Sequence, residues 1–408
     1  MLRSRSPRYA AALVLAASSA ASAQQQVAFD DVVRNLHSQD PKTRAASVQL
    51  LRDARYPEAI APLALLVVDP VDDVQLEAIA AEVSFFFDQD PKTKKKVTFV
   101  TDKKGSEITP VAFDLGPLAV VPHAAPQVLL DSLLQAIDDE TPKVRTEAIY
   151  AFGIVATAPL NGEQQARLVK ALDNFDPAVR DGAARVIARL KVDGTGDALL
   201  KAVNDTQPEV RFAAMRALGA IRDQRAIGAL TEQLAYYKKG EGAWSALDGL
   251  AHIASPASVP AFKERLQDKD PYLRRVAIEG LARTGDTSAL DAIERLATDD
   301  SPMVRAAAVF ALQKLRRDNG GRLIDLMSTG KLIPQIQEYL IELGPPDISV
   351  ILPHIQEGDP DLRQALVEVL GVIGDASVVA VLEVVANGDH DESVAAAAKR
   401  SLARLTSR

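Results

Sequence analysis

The chain has 408 residues, of which 47% are hydrophobic, 25% are charged and none is cysteine. This composition is typical of a soluble globular protein and excludes a disordered or collagen-like chain. Because cysteine is absent, the sequence also excludes disulfides, thiolate metal sites and a cysteine nucleophile.

The first 23 residues have the pattern of a secretory signal peptide. Three arginines within the first eight residues precede an apolar run at 9–17, and a small-residue cleavage site ends at Ala23. This pattern predicts cleavage before Gln24 and a mature chain in the periplasm or outside a bacterium. The apolar run is too short to span a membrane, and no later stretch is long and apolar enough. The alternative is an amphipathic N-terminal helix of a cytosolic protein.

The mature chain is acidic. Without the three arginines of the leader, the net charge falls from −8 to −11. A protein that binds nucleic acid needs a basic stripe to neutralise phosphates, and this chain has one basic cluster. We therefore expect no nucleic-acid partner.

A motif recurs along most of the chain. It reads as aspartate, two residues, proline, one residue, an aliphatic residue and arginine, followed by an alanine-rich apolar stretch. Successive arginines lie 31 or 35 residues apart, or about twice that where a degenerate copy near Trp244 or Ile336 intervenes. Two further copies lie at 40–44 and 69–75, and a last degenerate copy begins near His390. The clear copies end at Arg145, Arg180, Arg211, Arg274, Arg305 and Arg363.

The motif predicts a pair of helices in each repeat. Proline fits the first helical position, where its missing N–H is not needed, and the preceding residue, such as Asp176, can cap the helix. Apolar residues then recur with helical spacing, and another apolar stripe precedes each motif. Two such helices cannot bury both stripes alone, so consecutive pairs must stack into one core. The sequence therefore predicts an all-α solenoid of about eleven helix pairs.

This motif and period resemble the HEAT repeat, specifically the short HEAT-like repeats of the phycobilin-lyase relatives. The resemblance covers nearly the whole mature chain and implies an armadillo-like superhelix. It says little about activity, because proteins of this kind include scaffolds, adaptors, lyases and a metal hydroxylase.

The resemblance also implies a structural role for the repeated aspartate and arginine. In such repeats the pair forms a hydrogen-bonded ladder between successive units, for which the fixed fork of arginine donors is suited. We expect that removing Arg211 leaves Asp205 short of a partner, and that the rung of Arg180, whose motif begins with Asn174, is weaker. The ladder residues are Asp139 and Arg145, Arg180, Asp205 and Arg211, Asp268 and Arg274, Asp299 and Arg305, and Glu357 and Arg363.

The repeat is interrupted by a segment too long for a solenoid turn, at 88–125. Two β-branched and aromatic runs, at 96–101 and 107–113, flank a turn sequence and predict a projecting β-hairpin. Its lysines indicate either a docking arm for an acidic partner or anionic surface, or a solvated hairpin whose edges they protect from pairing. These lysines are Lys92, Lys94, Lys95, Lys96, Lys103 and Lys104.

A second break lies near Tyr236, Tyr237 and Trp244, where the proline and arginine of the motif are missing. Aromatic side chains suit binding surfaces because they bury a large area at low entropic cost. They suit packing in a core equally well. Both interpretations stay open at this point.

No catalytic motif stands out. None of the five histidines is followed by glutamate, and H-E-x-x-H, G-x-S-x-G and phosphate-loop patterns are absent from the sequence. We therefore expect a non-catalytic scaffold, without cofactor or metal, that binds unidentified protein partners on its concave face. The alternatives are a HEAT-like enzyme, lyase-type or metal-dependent, with a site assembled across repeats, and a structural component of the envelope.

The predicted organisation has four parts. They are a signal peptide at 1–23, N-terminal repeats at 24–87, an inserted basic hairpin at 88–125 and a repeat array at 126–408.

Overall fold

The computed structural model of the protein is an α-solenoid. Within the residues that it describes, the regular elements are all helical and form eleven helix pairs with one additional helix, which confirms the predicted fold. No helix in those residues is long and apolar enough to cross a membrane. The predicted signal peptide lies outside them. The described residues are 29–88, 108–316, 320–328, 330–356 and 358–406.

The first helix of each pair is mostly short, and several of these helices follow a 3-10 turn such as Pro57–Ala59 or Gln224–Ala226. They form the outer layer of the solenoid. The first helices are α1 (Phe29–Asn35), α3 (Ile60–Ala64), α6 (Gln127–Ala136), α8 (Gly162–Ala171), α10 (Gly196–Ala202), α12 (Ile227–Tyr237), α14 (Val259–Arg265), α16 (Leu290–Leu296), α18 (Gly320–Met327), α20 (Ile348–Ile351) and α22 (Ala376–Gly388).

The second helix of each pair begins at the repeat motif. Proline occupies the first position in most of them, and the side chains of Asp40, Asp176 and Asp270 accept hydrogen bonds from backbone N–H groups of the first turn. The second helices are α2 (Pro41–Ala54), α4 (Asp72–Ser84), α7 (Pro142–Val155), α9 (Pro177–Leu190), α11 (Pro208–Ala220), α13 (Gly240–Ile253), α15 (Pro271–Thr284), α17 (Pro302–Arg316), α19 (Ile333–Leu343), α21 (Pro360–Ile373) and α23 (Glu392–Thr406).

Second helices of neighbouring pairs pack against one another and form the inner layer. Glycines let these helices cross closely. A Cβ atom added at Gly219 would lie 2.7 Å from the Cα of Gly249, and one at Gly371 would lie 2.8 Å from the Cα of Ser401. Such distances leave no room for a side chain, so each glycine is required by packing rather than by backbone conformation.

The predicted β-hairpin is wrong in its second half. Residues predicted as a strand form α5 (Ile108–Asp114), the additional helix of the insertion. Thr109, Ala112 and Phe113 are its buried side chains, and their i, i+3, i+4 spacing is that of a helix face. The first predicted strand, at 96–101, lies outside the described residues.

Candidate functional site

Arg180 shows the geometry of a ladder rung. Its Nε and Nη2 atoms donate to the two carboxylate oxygens of Asp205 in the next repeat, at 2.7 and 2.8 Å. Its Nη1 donates to the backbone carbonyl oxygen of Asn174 at 2.9 Å. The guanidinium thus binds two repeats at once, and its hydrogen bonds to Asp205 lower the pKa of that carboxyl.

The same contact recurs along the solenoid. In each rung an arginine at the start of one second helix donates to an aspartate 25 to 31 residues later. The participating side chains are largely buried, which distinguishes them from exposed ion pairs of little energetic value. The other rungs of this kind are Arg44 with Asp69, Arg145 with Asp176, Arg274 with Asp299 and Arg363 with Asp389.

The register of the ladder differs from the predicted one. The carboxylate of Asp205 accepts from Arg180 of the preceding repeat, so the prediction that removing Arg211 leaves Asp205 short of a partner is wrong. Arg211 donates instead to the backbone oxygen of Asp205, at 2.6 Å. The six-residue spacing within a motif therefore brings the arginine to a carbonyl group, while the aspartate side chain faces the previous repeat. Arg274 and Arg305 likewise donate to the backbone oxygens of Asp268 and Asp299.

The effect expected from Asn174 also falls on another rung. Arg180 makes both hydrogen bonds to Asp205. Asn174 occupies the motif position at which an aspartate would accept from Arg145 of the preceding repeat. Arg145 donates instead to Asp176, the helix cap two residues later, with an Nε–Oδ2 distance of 3.0 Å. Glu357 lies outside the described residues.

Three other side chains continue the ladder where its usual residues are missing. Gln75 donates to Asp139 at 2.9 Å, which joins α4 to α7 across the insertion. The hydroxyl of Tyr237 accepts from Arg211 at 2.7 Å, in place of an aspartate. The indole N–H of Trp244 donates to Asp270 at 2.6 Å, in place of an arginine.

The structure thus separates the three aromatic residues of the second break. Tyr237 and Trp244 serve as ladder residues, and both pack against the core. Trp244 also lies over Tyr272 at a ring distance of 4.8 Å. Tyr236 is 76% exposed and remains available to a partner.

The described part of the insertion packs into the inner layer. The N–H of Thr109 donates to the buried carboxylate of Glu147 on α7 at 3.0 Å. The ring of Phe113 lies 5.2 Å from that of Tyr150, and the guanidinium of Arg189 lies 4.7 Å from its centre. Helix α5 is therefore an integral part of the solenoid wall. The six lysines that precede it lie outside the described residues.

The C-terminal repeat meets the insertion. Arg400 on α23 forms an ion pair with Asp88, which directly follows the N-terminal repeats. The Nη2 of Arg404 donates to the backbone oxygens of Pro117, Leu118 and Val120, at 3.2 to 3.4 Å. Two distant parts of the chain thus close the solenoid on its second-helix side, and this contact shows that the second helices line the concave face.

Comparison with family models gives a match to HEAT repeats over residues 165–241 and 238–313. These matches fall on the repeats whose rungs are described above. Residues 165–313 of this chain are therefore HEAT repeats.

Several solved structures are similar to this chain. A crystal structure of an engineered protein is 19% identical, with 93% of this chain and 98% of that chain covered and a TM-score of 0.42. The phycocyanin lyase complex of CpcE and CpcF from Nostoc sp. is 18% identical, with coverage of 81% and 99% and a TM-score of 0.38. Importin beta is 13% identical, with coverage of 98% and 60% and a TM-score of 0.38. A search of curated proteins finds no match.

Two depressions lie on the concave face of the HEAT array. The first is a groove of about 540 Å³ beside Phe113, lined by charges of both signs that include Asp181, Glu209, Arg216 and Glu241. Arg216 and Glu241 form an ion pair at 3.2 Å. We call this depression the charged groove.

The second depression is a recess of about 680 Å³ between the insertion and the C-terminal repeats. One wall is the insertion at 114–119. The opposite walls are one face of α19 and one face of α21, and Arg404 of α23 also lines the space. We call it the seam recess.

Metal ligands do not converge in the described residues, where no group of three or more histidine, aspartate or glutamate side chains could hold an ion. His123 stacks on Phe86 with 4.0 Å between ring centres. His252 contacts its own helix, with Nδ1 3.0 Å from the oxygen of Asp248. These two histidines therefore contribute to packing and local contacts.

Proposed function

We propose that this HEAT-repeat protein is an exported, non-catalytic scaffold that binds a protein partner on its concave face. The observation that carries the proposal is the ladder, which continues from Arg44 to Asp299 through both breaks of the repeat. A ladder of buried hydrogen bonds holds successive second helices in fixed register. Such a surface can recognise a partner by many modest contacts over a wide area.

The charged groove supports this proposal. It exposes several charged side chains beside an aromatic ring, and mixed charges of this kind favour selective recognition of a complementary partner.

The leader at 1–23 supports export, and its test is direct. The secreted or periplasmic protein should begin at Gln24, as determined by N-terminal sequencing, whereas a cytosolic protein that retains Met1 would contradict export.

The binding surface is tested by charge reversal in the charged groove. Glu209→Lys changes an exposed side chain of the groove, and Glu232→Lys changes an exposed side chain on the outer helix α12. Tagged wild type and both variants are used to capture partners from an envelope extract, and bound proteins are quantified by mass spectrometry. We expect Glu209→Lys to lose a partner that Glu232→Lys retains. Equal capture by all three proteins contradicts a concave binding surface.

The six lysines of the insertion remain part of the proposal as a basic segment that speeds encounter with an acidic partner. Exposed charges are screened over about 8 Å at physiological ionic strength, so this contribution should weaken as salt rises. A variant with all six changed to glutamine should bind more slowly at low salt and equally at high salt. Unchanged association rates at both salt concentrations, measured by surface plasmon resonance with the captured partner, contradict this role.

A further inference from the structure

We propose that the seam recess binds an apolar segment of the partner protein that carries a lysine, and that Glu338 is the carboxylate that pairs with it. This inference rests on the proposed scaffold function and identifies where one segment of the partner docks. It concerns a different surface from the charged groove.

The walls of the recess are mostly apolar. Leu115 and Leu118 of the insertion face Ile341 on α19 and Val372 on α21. Leu115 is 52% exposed and lines the recess. The volume of about 680 Å³ is in the range of established ligand pockets. An apolar segment that enters the recess would remove these side chains from water.

The two glutamates of the recess differ in their partners. Glu368 accepts hydrogen bonds from Gln337, Gln364 and Arg400, at 3.0 to 3.1 Å. Glu338 makes no hydrogen bond or ion pair among the described residues. Its neighbour Gln337 donates to Glu368 instead. The lining of the recess therefore offers one carboxylate without a partner.

Glu338 lies in a confined but accessible position. It is exposed to solvent and lines the recess, yet desolvation by the surrounding protein raises the pKa of its carboxyl. Glu279 adds a like-charge contribution, which Arg275 opposes only in part. A carboxylate in such an environment gains more from a cation than one on an open surface. A lysine ammonium suits a single carboxylate, whereas an arginine fork favours several acceptors.

The other charges of the recess are already engaged. Asp114 pairs with Arg185 on α9, and Arg404 donates to backbone oxygens of the insertion. An acidic segment would place a second negative charge beside the carboxylate of Glu338. The charge of the recess therefore selects a cationic segment over an anionic one.

The test uses three acetylated and amidated peptides in isothermal titration calorimetry with the full-length mature protein. Their sequences are Ala-Leu-Lys-Leu-Ala and the same peptide with norleucine or glutamate in place of lysine. We expect the lysine peptide to bind about tenfold more tightly than the norleucine peptide, the gain of one charge-assisted hydrogen bond. The glutamate peptide should bind most weakly.

Glu338→Gln keeps the size of the side chain and should reduce the affinity of the lysine peptide to that of the norleucine peptide. Glu383→Gln removes an exposed carboxylate on the outer helix α22 and should change neither affinity. Ile341→Trp fills the recess and should weaken both peptides, with circular dichroism as the check on folding. A lysine peptide that binds equally well to Glu338→Gln, or does not bind to wild type, overturns the proposal.

Failure of the recess is distinguishable from failure of the scaffold function. If Glu338→Gln leaves peptide affinity unchanged while Glu209→Lys still abolishes partner capture, the docking site is wrong and the scaffold function stands. If Glu209→Lys captures the same partners as wild type, the result contradicts the proposed concave binding surface.

Discussion

Individual ladder residues differ in which partner they bind, and this difference is measurable. The side chains of Arg180 and Asp205 form two short hydrogen bonds, whereas Arg211 reaches only as far as the backbone oxygen of Asp205 within the same motif. Arg180 should therefore couple energetically to Asp205 of the next repeat, whereas Arg211 should not couple to the side chain of Asp205 in its own motif.

A pair of double-mutant cycles tests this register. Arg180→Ala combined with Asp205→Asn should give a coupling free energy of about 1–3 kcal/mol, because a largely buried charged hydrogen-bonded pair is lost. Arg211→Ala combined with Asp205→Asn serves as the matched control and should give a coupling near zero. Urea denaturation measures both. A larger coupling for the control cycle would reverse the assigned register.

Glu82 on α4 is fully buried, and its carboxylate accepts no hydrogen bond among the described residues. Desolvation by burial raises its pKa well above the ordinary value of 4.5. The folded state therefore binds a proton that the unfolded state releases above pH 4.5. It follows that this residue costs stability as pH rises from about 4.5 towards the folded-state pKa.

Glu82→Gln should remove this pH-dependent cost. Protonating a carboxyl costs about 1.4 kcal/mol per pH unit above its ordinary pKa, so the variant should be up to about 3.5 kcal/mol more stable at pH 7. The gain should shrink as pH falls to 5. Thermal melts of wild type, Glu82→Gln and the exposed control Glu140→Gln from pH 5 to 8 measure it. A gain that does not vary with pH would exclude ionisation of Glu82 as its cause.

At the scale of elements, helix α5 is the part of the insertion that packs on the inner layer. Phe113 is buried, and a Cβ added at Gly153 would lie 2.7 Å from its ring. Phe113→Ala should destabilise the protein by about 3–5 kcal/mol, the usual cost for a buried phenylalanine. Val111→Ala, on the exposed side of the same helix, should cost less than about 1 kcal/mol. Equal losses in urea denaturation would contradict the docked helix.

The sequence predicted most elements of this fold because proline and the preceding cap mark the start of a second helix in each repeat. It failed at α5 for a physical reason. Ile108, Thr109 and Val111 are β-branched and favour a strand locally, but burial of Thr109 and Phe113 against α7 and α9 favours a helix. Tertiary packing outweighed intrinsic preference there, and a single sequence does not contain that information.

The ladder was predicted in part. The residues themselves follow from the motif, but the partner of each aspartate depends on the rise and twist between repeats. The substitutes Tyr237 and Trp244 were recognised as exceptional residues, although their hydrogen bonds to Arg211 and Asp270 required the structure. The seam recess was not predictable, because its walls come from residues more than 200 positions apart.

At the scale of the molecule, α23 contacts the insertion, and we expect this contact to limit how far the solenoid can open. Arg404 supplies hydrogen bonds to three backbone oxygens of the insertion. Arg404→Ala should loosen this contact and increase the radius of gyration measured by small-angle X-ray scattering. Arg295→Ala, on the outer helix α16, is the matched control and should leave the radius unchanged. An Arg404→Ala variant as compact as wild type would show that other contacts alone hold the closure.

The rung between Gln75 and Asp139 spans 64 residues of sequence, whereas most rungs span 25 or 26. A rung thus forms across two very different lengths of intervening chain. A guest domain placed in a loop between two rungs should therefore leave the stacking of the repeats intact. The natural insertion lies between Gln75 and Asp139, so the same loop is a candidate site for inserting a foreign sequence.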